Sequence, residues 1–465
     1  MLIEQIHDGK LNSIHVDDLN YFQVQIYLGM QLHKFMLNLV GFGLILITSH
    51  GSIAQPKTDS LMLRILSGIK NTNAEKILKD PLEYRFQIIY TQIDRDKKGA
   101  PHFTNYYFNV DPELYFNPAS MVKMPLAFLS LEKLNEINLS GVDKYTSMEF
   151  DSSYERQVAM KKDSTSQNEK PSIAHFIRRA FLISENDPYN RMYQFLGQQS
   201  ANRKLVKKGY SSTRITRQFM GYTDEQNRHT NGIRFLDKSG NIVYSQEPAH
   251  NTDSFSFPDR TLIGDAHIDR NDQFVKGPFD FTKHNNISLN DMRLMIQAIV
   301  FPQSVSAKQR FNISEDDRLF LLKYLSQYPS ETSYPFYDST IFYDSYVKFF
   351  FQDSTHQMPS NIRVFNKVGW AYGFLTDVSY VLDGENNIDY MLSATVYVNS
   401  DGVVNDSKYD EQTVGFPFLN AIGKAIYEYD LNRNRTYRPN IKIGDISYDK
   451  RDATDMRLQI KVADN

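Results

Sequence analysis

The segment from residue 116 to residue 137 carries the pattern Ser-x-x-Lys twice, at Ser120–Lys123 and at Ser130–Lys133. Residues three apart in a helix face the same side, so in each copy the amine can reach the hydroxyl. A lysine that is held beside a serine and partly desolvated has a lowered pKa and can take the hydroxyl proton, which makes the serine a nucleophile. The same spacing also occurs at Ser67–Lys70, Ser345–Lys348 and Ser447–Lys450. The position of each copy must therefore decide which one is catalytic.

Ser120 has the position that nucleophilic catalysis requires. Pro118 suits the first turn of a helix, and Pro125 disfavours much helix before it. At a helix N-terminus the free backbone N–H groups and the positive end of the dipole stabilise an oxyanion beside the serine. We therefore predict that Ser120 is the nucleophile and that Lys123 is its base.

The other copies lack this position. Ser130 falls in the middle of the same helix, where we expect Lys133 and its neighbour Glu132 to face solvent. The three remaining copies have no N-terminal turn of this kind. These serines are interpreted as structural.

Two further triplets occur in the right order along the chain. Ser184-Glu185-Asn186 directly follows an amphipathic helix, and Lys367-Val368-Gly369 lies at the end of a strand. With these triplets the chain resembles the penicillin-recognising serine hydrolases, most closely the class A β-lactamases and their β-lactamase-like relatives, which use S-x-x-K, S-D-N and K-T-G. The resemblance spans roughly residues 57–430 and implies a serine hydrolase that forms an acyl-enzyme.

The resemblance implies a role for each polar side chain. Ser120 would be acylated, and Lys123 would accept its proton. Ser184 would relay a proton to the leaving nitrogen, which needs a hydroxyl able both to accept and to donate. Asn186 would hold the amide side chain of the substrate, and Lys367 would supply positive charge to Ser184 and to a substrate carboxylate.

The resemblance also assigns the strand end. The backbone N–H groups of Ser120 and Trp370 would form the oxyanion hole. Gly369 would leave room for a substrate along the strand edge. Two residues depart from the family pattern: Glu185 replaces the usual Asp, and Val368 replaces the usual hydroxyl residue. The second change removes a hydrogen bond to a charged group, worth roughly 1.5–3 kcal/mol, and so weakens recognition of a penicillin carboxylate.

Deacylation needs a further group. Class A enzymes hold the deacylating water with a Glu and an Asn four residues later. Glu225 lies in about the right place, 39 residues after Asn186, but His229 occupies the expected Asn position, with Asn227 and Asn231 on either side. Glu225 is our predicted deacylation base; without such a base the enzyme would acylate and stall, as a penicillin-binding protein does.

The elements that position these groups predict an α/β fold of the α+β kind. Strands occur near both chain ends and helices lie between them, which suits a five-stranded antiparallel sheet with an inserted all-helical subdomain. We predict a hydrolase domain over 55–430, with its sheet part at about 55–115 and 360–430 and its helical part at about 116–359. Residues 431–465 are predicted to be an appended tail.

The N-terminal region predicts export. An apolar run from Phe35 to Ile47 ends near a small-x-small cleavage pattern, Ser52-Ile53-Ala54, so residues 30–54 read as a signal peptide. Residues 1–29 are interpreted as a non-native upstream extension. We expect a secreted or periplasmic monomer with no membrane span after cleavage.

Composition excludes several function classes. The 52 basic and 55 acidic residues give no basic excess, so we expect no nucleic-acid partner. The chain has no cysteine, and its eleven histidines are scattered without a zinc pattern, so we predict no metal and no cofactor. Three alternatives stay open: a β-lactamase, a penicillin-binding peptidase or esterase acting on an acyl or peptide substrate, and a catalytically silent binding module.

Overall fold

The computed structural model describes residues 2–7, 10–15, 56–258, 260–439 and 446–463. The chain divides into two compact units, Met1–Gln55 and Pro56–Asn465. In the first unit, strands β1 (Leu2–His7) and β2 (Lys10–His15) pair as an antiparallel hairpin. The predicted signal peptide at 30–54 lies outside the described residues.

The second unit contains both helices and strands. The helices are α1 (Ser60–Ser67), α2 (Thr72–Lys79), α3 (Lys123–Ile137), α4 (Ile173–Leu182), α5 (Asn186–Leu196), α6 (Gln198–Lys208), α7 (Leu289–Val300), α8 (Glu315–Ser326) and α9 (Phe416–Asn432). The strands are β3 (Gln87–Arg95), β4 (Pro101–Phe108), β5 (Ser147–Phe150), β6 (Ile233–Leu236), β7 (Ile242–Gln246), β8 (Leu262–Ile263), β9 (Ala266–Ile268), β10 (Phe274–Lys276), β11 (Phe279–Asp280), β12 (Ile362–Ala371), β13 (Phe374–Asp383), β14 (Ile388–Tyr397) and β15 (Val403–Val404). No helix in the described part of the chain is both long and apolar enough to cross a membrane.

The main sheet has five strands in the order β12-β13-β14-β3-β4, and every pairing is antiparallel. Both chain ends contribute strands, as predicted. The sheet is covered on both faces, because alternate residues of β3 belong to different cores: Ile88 and Tyr90 pack in one hydrophobic cluster and Ile89 in the other. The fold is therefore the mixed α/β architecture with an antiparallel sheet that the strand pattern indicated.

Helix α3 runs through the core of the insert, the part of the chain between β4 and β12. Almost every residue from Lys123 to Leu134 is buried, and a helix that is apolar on nearly all sides must lie among other elements. It ends at Asn138, whose left-handed φ of 46° closes the last turn. A buried helix of this kind fixes whatever side chain lies at its first turn.

The insert carries more than helices. It holds helices α3–α8 together with the three-stranded sheet β5-β6-β7 and short strands between residues 262 and 280, so this part is not all-helical as predicted. Helices α7 and α8 begin at side-chain caps: Ser288 accepts a hydrogen bond from Asp291 N, and Ser314 forms a capping box with Asp317. Local sequence signals therefore set these helix starts.

Part of the predicted C-terminal tail packs on this unit. Ile460 forms a parallel bridge with Tyr337. Asp449 accepts hydrogen bonds from Lys323 at 2.6 Å and from Tyr324 at 2.8 Å, both on α8. Residues 446–463 thus add contacts to the insert.

Candidate active site

Ser120 lies in a short 3-10 turn, Ala119–Val122, that leads directly into α3. Ala119 has a φ of +44°, and its N–H is held by the Asn117 side chain at 2.8 Å. The turn closes with a hydrogen bond from Met121 N to Pro118 O at 2.9 Å. The nucleophile predicted from the proline spacing is thus placed at the start of a buried helix.

Lys123 is fully buried and joins three groups. Its Nζ lies 2.7 Å from Asn186 Oδ1, 2.7 Å from Ser120 Oγ and in hydrogen-bond contact with the Ser184 carbonyl. Burial, with a smaller contribution from Lys367, lowers the pKa of Lys123 well below its ordinary value. A neutral amine has two hydrogens and one lone pair. With Asn186 and the Ser184 carbonyl accepting the hydrogens, the lone pair is left for the Ser120 hydroxyl.

Ser184 lies between the two lysines. Lys367 Nζ donates to Ser184 Oγ at 2.7 Å and to the Val368 carbonyl at 2.9 Å, and Lys123 Nζ lies 3.4 Å from the same Oγ. Burial lowers the pKa of Lys367 to about 7. Ser184 has a φ of +69°, a conformation that costs free energy in a residue with a side chain and that is concentrated at functional sites.

The side chain of Glu185, which is longer than the usual Asp, fits the loop because it is buried. It is 2% exposed and points inward, where its Oε2 accepts from Arg179 Nη2 at 2.6 Å and from Arg179 Nε at 3.1 Å. Its Oε1 accepts from the Tyr337 hydroxyl, and Asp163 binds the same arginine at 3.0 Å. The extra methylene thus lets Glu185 anchor the loop in the core while Ser184 faces the cleft.

Gly369 is required by the packing of the edge strand. A Cβ at this position would lie 2.4 Å from the Pro118 carbonyl oxygen and 3.0 Å from Met121 Cγ. The edge strand therefore passes directly against the turn that carries Ser120.

A cavity of about 760 Å³ opens beside these groups. Its lining includes Ser120, Ser184 and Asn186, the loop 217–221, the β12 residues Val368 and Trp370, and Glu411 from the segment before α9. Trp370 lies at the rim, 37% exposed. Lys123 and Lys367 lie beneath this surface, where they can act only through the two serines.

The loop 217–221 forms one wall of the cleft, a role that the sequence analysis did not predict. Arg217 Nη1 donates to His284 Nε2 at 2.7 Å, and burial together with this arginine lowers the pKa of His284 to about 3. His284 is therefore a neutral acceptor. The Phe219 ring lies 5.2 Å from Lys123 Nζ and closes the site on this side. A polar loop without a motif gave no signal for this role.

Glu225, the predicted deacylation base, is not among the described residues that line the cleft. Its side chain is 56% exposed, and its Oε1 is 3.0 Å from His229 Nε2 and 3.1 Å from His250 Nε2. Asn227 instead has a structural role, because its buried Oδ1 accepts from Gln218 N at 2.7 Å. The structure therefore does not bring Glu225 to Ser120.

The second Ser-x-x-Lys copy is structural, although the expected reason was wrong. Glu132 is 3% exposed and forms ion pairs with Lys204 at 3.3 Å and Lys208 at 2.7 Å. Lys133 is partly buried and binds the Phe195 carbonyl and Gln246. Two lysines of α6 hold Glu132, so its carboxylate faces a neighbouring helix and not solvent.

Comparison with known proteins was made over the whole chain. The profile of a family described as the beta-lactamase enzyme family matches residues 85–429. Comparison with curated proteins gave no match. Among solved structures, the chain is similar to a β-lactamase from Sphaerobacter thermophilus (12% identity, 76% of this chain and 94% of that chain, TM-score 0.40) and to one from Desulfarculus baarsii (12% identity, 79% and 98%, TM-score 0.43). It is also similar to an ancestral class A β-lactamase (12% identity, 77% and 99%, TM-score 0.41). The range matched by the family profile contains every cleft residue named above.

Proposed function

The chain belongs to the beta-lactamase enzyme family, and from this membership we propose that it is an exported serine hydrolase that opens β-lactam rings through an acyl-enzyme at Ser120. The observation that supports the reaction is the placement of the Lys123 amine, 2.7 Å from Ser120 Oγ and bound to acceptors on its other side. A silent module would have no need for a buried, desolvated lysine at this point.

Acylation begins with proton transfer from Ser120 Oγ to the neutral Lys123 Nζ. The oxygen attacks the lactam carbonyl, and a bond forms between Oγ and the carbonyl carbon. The negative charge that develops on the carbonyl oxygen is stabilised by backbone N–H groups of Ser120 and Trp370. Both residues line the cleft, at the helix start and on the edge strand.

Ring opening follows when the carbon–nitrogen bond breaks. The proton held by Lys123 passes to Ser184, whose Oγ is 3.4 Å away, and Ser184 donates its own proton to the leaving nitrogen. Lys367, 2.7 Å from the same Oγ, supports this transfer while it is charged. Asn186 keeps Lys123 in place and would also contact the substrate amide.

The strand end is poorly suited to a substrate carboxylate. Val368 offers no hydroxyl, and the Glu411 carboxyl lines the same cleft, where it interacts with the Trp370 side chain. Burial raises the pKa of Glu411, and an ionised Glu411 would repel an anionic group. We therefore propose that substrates lacking a carboxylate at this position react well compared with penicillins.

A second function is favoured by the loop 217–221. None of its five residues carries a carboxylate, and Glu225 lies outside the cleft lining. Without a base to activate water, the acyl-enzyme would hydrolyse slowly, as in a penicillin-binding peptidase or an esterase specialised for another acyl group. This alternative shares the acylation step and differs only in turnover.

Nitrocefin separates the two functions. Continuous colour formation by purified protein, lost in Ser120→Ala, would support a β-lactamase. A single stoichiometric burst would support the peptidase or esterase. The absence of both colour and covalent adduct would reject acylation by β-lactams.

A further inference from the structure

Two histidines and a glutamate converge on the surface outside the cleft lining. Nε2 of His229 lies 3.0 Å from Glu225 Oε1, and Nε2 of His250 lies 3.1 Å from the same oxygen. The three potential ligand atoms all lie within 4.8 Å of one another. Two histidines that are 21 residues apart in the sequence therefore lie close together in the fold.

We propose that Glu225, His229 and His250 form a binding site for a divalent transition-metal ion of the zinc class. Zinc accepts imidazole nitrogen and carboxylate oxygen at about 2.0–2.2 Å in tetrahedral geometry, which separates neighbouring ligand atoms by about 3.3 Å. The two separations from the Glu225 oxygen, 3.0 and 3.1 Å, need only a small expansion to reach this value, and the two histidine nitrogens lie within 4.8 Å of each other.

The His229 ring is stacked between the rings of Tyr154 and His250. His229 stacks on the Tyr154 ring, with centroids 3.5 Å apart and planes 5° apart. On its other side lies His250, with centroids 4.3 Å apart and an angle of 17°. Stacking on Tyr154 holds the His229 ring in place, and because the two imidazole planes are nearly parallel, the half-exposed His250 ring must turn for both Nε2 lone pairs to reach one ion.

The backbone holds the two ligand segments together as well. His229 and His250 form an antiparallel bridge. Thr230 N donates to Ala249 O at 2.9 Å, and Asn251 N donates to Arg228 O at 2.9 Å. The two segments that carry the histidines are therefore held together before any ion binds, which reduces the entropy lost on binding.

The ligand set selects the kind of ion. Two imidazoles and one carboxylate suit zinc and its transition-metal neighbours, whereas Mg²⁺ and Ca²⁺ prefer oxygen ligands alone. The side chain of His250 is 43% exposed and that of Glu225 is 56% exposed, so water can reach a bound ion as a fourth ligand. An ion here would cross-link the segment 225–229 to residue 250, next to the Asn227 contact that holds Gln218 of the cleft wall.

The test uses full-length protein without a histidine tag, treated with a chelator and then titrated with ZnCl2 by calorimetry and with Co²⁺ by visible absorption. We expect one ion per chain and the absorption bands of tetrahedral cobalt. His250→Ala and Glu225→Gln should each weaken binding by roughly tenfold or more, the loss that even changes to groups behind the ligands can cause. His102→Ala removes a histidine whose side chain is 67% exposed elsewhere and should bind like the unaltered protein.

The proposal is overturned if the unaltered protein takes up no ion at one equivalent, or if both ligand variants bind as tightly as His102→Ala. Thermal unfolding of each metal-free variant checks that it is folded. Neither readout uses a β-lactam, so failure of this site and failure of the proposed hydrolase are distinguished.

Discussion

The Nζ atom of Lys367 lies 2.7 Å from the Oγ atom of Ser184, although the two residues are 183 positions apart in the chain. Ser184 sits on a loop before α5, and Lys367 comes from the edge strand of the sheet. Lys123, at the start of α3, completes the contact from the other side. Three separate elements therefore meet at one hydroxyl, and each can be tested separately.

The pH dependence of kcat/KM should reflect both lysines. Lys123 must be neutral to accept a proton, so activity is lost as pH falls through its lowered pKa. Lys367 must be charged, and because its pKa is about 7, activity should also fall as pH rises above about 7. In Lys367→Arg the charge persists at every pH, so the alkaline decline should move to higher pH. An alkaline decline at the same pH in this variant would show that another group causes it.

Removing the anchor of the Ser184 loop should lower stability. Glu185→Gln leaves Arg179 with one buried partner fewer, and breaking a buried ion pair costs about 3–5 kcal/mol. The free energy of unfolding in urea measures this. Glu136→Gln, which alters a half-exposed pair with Lys204, is the control and should cost less than about 1 kcal/mol. Equal effects from the two variants would contradict the anchoring role.

Restoring a hydroxyl on the edge strand should restore recognition of a carboxylate. Val368→Thr returns a hydrogen bond to a charged group, worth roughly 1.5–3 kcal/mol, so acylation by benzylpenicillin should rise by about tenfold or more. Turnover of a neutral ester such as p-nitrophenyl acetate should change little. A parallel rise for both compounds would mean that the variant alters general reactivity and not carboxylate binding.

A side chain at Gly369 should separate the edge strand from the helix start. In Gly369→Ala the Cβ meets the Pro118 carbonyl, and overpacking of this kind costs about 1–3 kcal/mol. We expect a lower midpoint of thermal unfolding and slower acylation. Gly232→Ala, whose Cβ would meet its nearest atom at 3.4 Å, is the matched control. Unchanged acylation in Gly369→Ala would contradict the packing explanation.

The sequence was informative where one element determines a position. Proline spacing placed Ser120 at a helix start, because this signal acts within a few residues. The meeting of Ser184 with Lys367 could be inferred only through a family resemblance, since no local rule links residues so far apart.

Tertiary contacts explain where the sequence analysis failed. Glu132 was expected in water and is buried, because Lys204 and Lys208 arrive from another helix. Glu225 was selected by its distance along the chain from Asn186, but the fold directs it to His229 and His250. The histidine pair itself was invisible in the sequence, since an isolated bridge brings together residues that no periodic pattern connects.

The central claim, that Ser120 is the acylated residue, is tested most directly by intact mass after incubation with benzylpenicillin, with peptide mapping of the adduct. Ser130→Ala is the control, because the Ser130 hydroxyl is buried without a hydrogen-bond partner among the described residues and belongs to the second Ser-x-x-Lys copy. We expect one adduct per chain, on Ser120, in the unaltered protein and in Ser130→Ala, and none in Ser120→Ala. An adduct that persists in Ser120→Ala, or that maps to another residue, would contradict that claim.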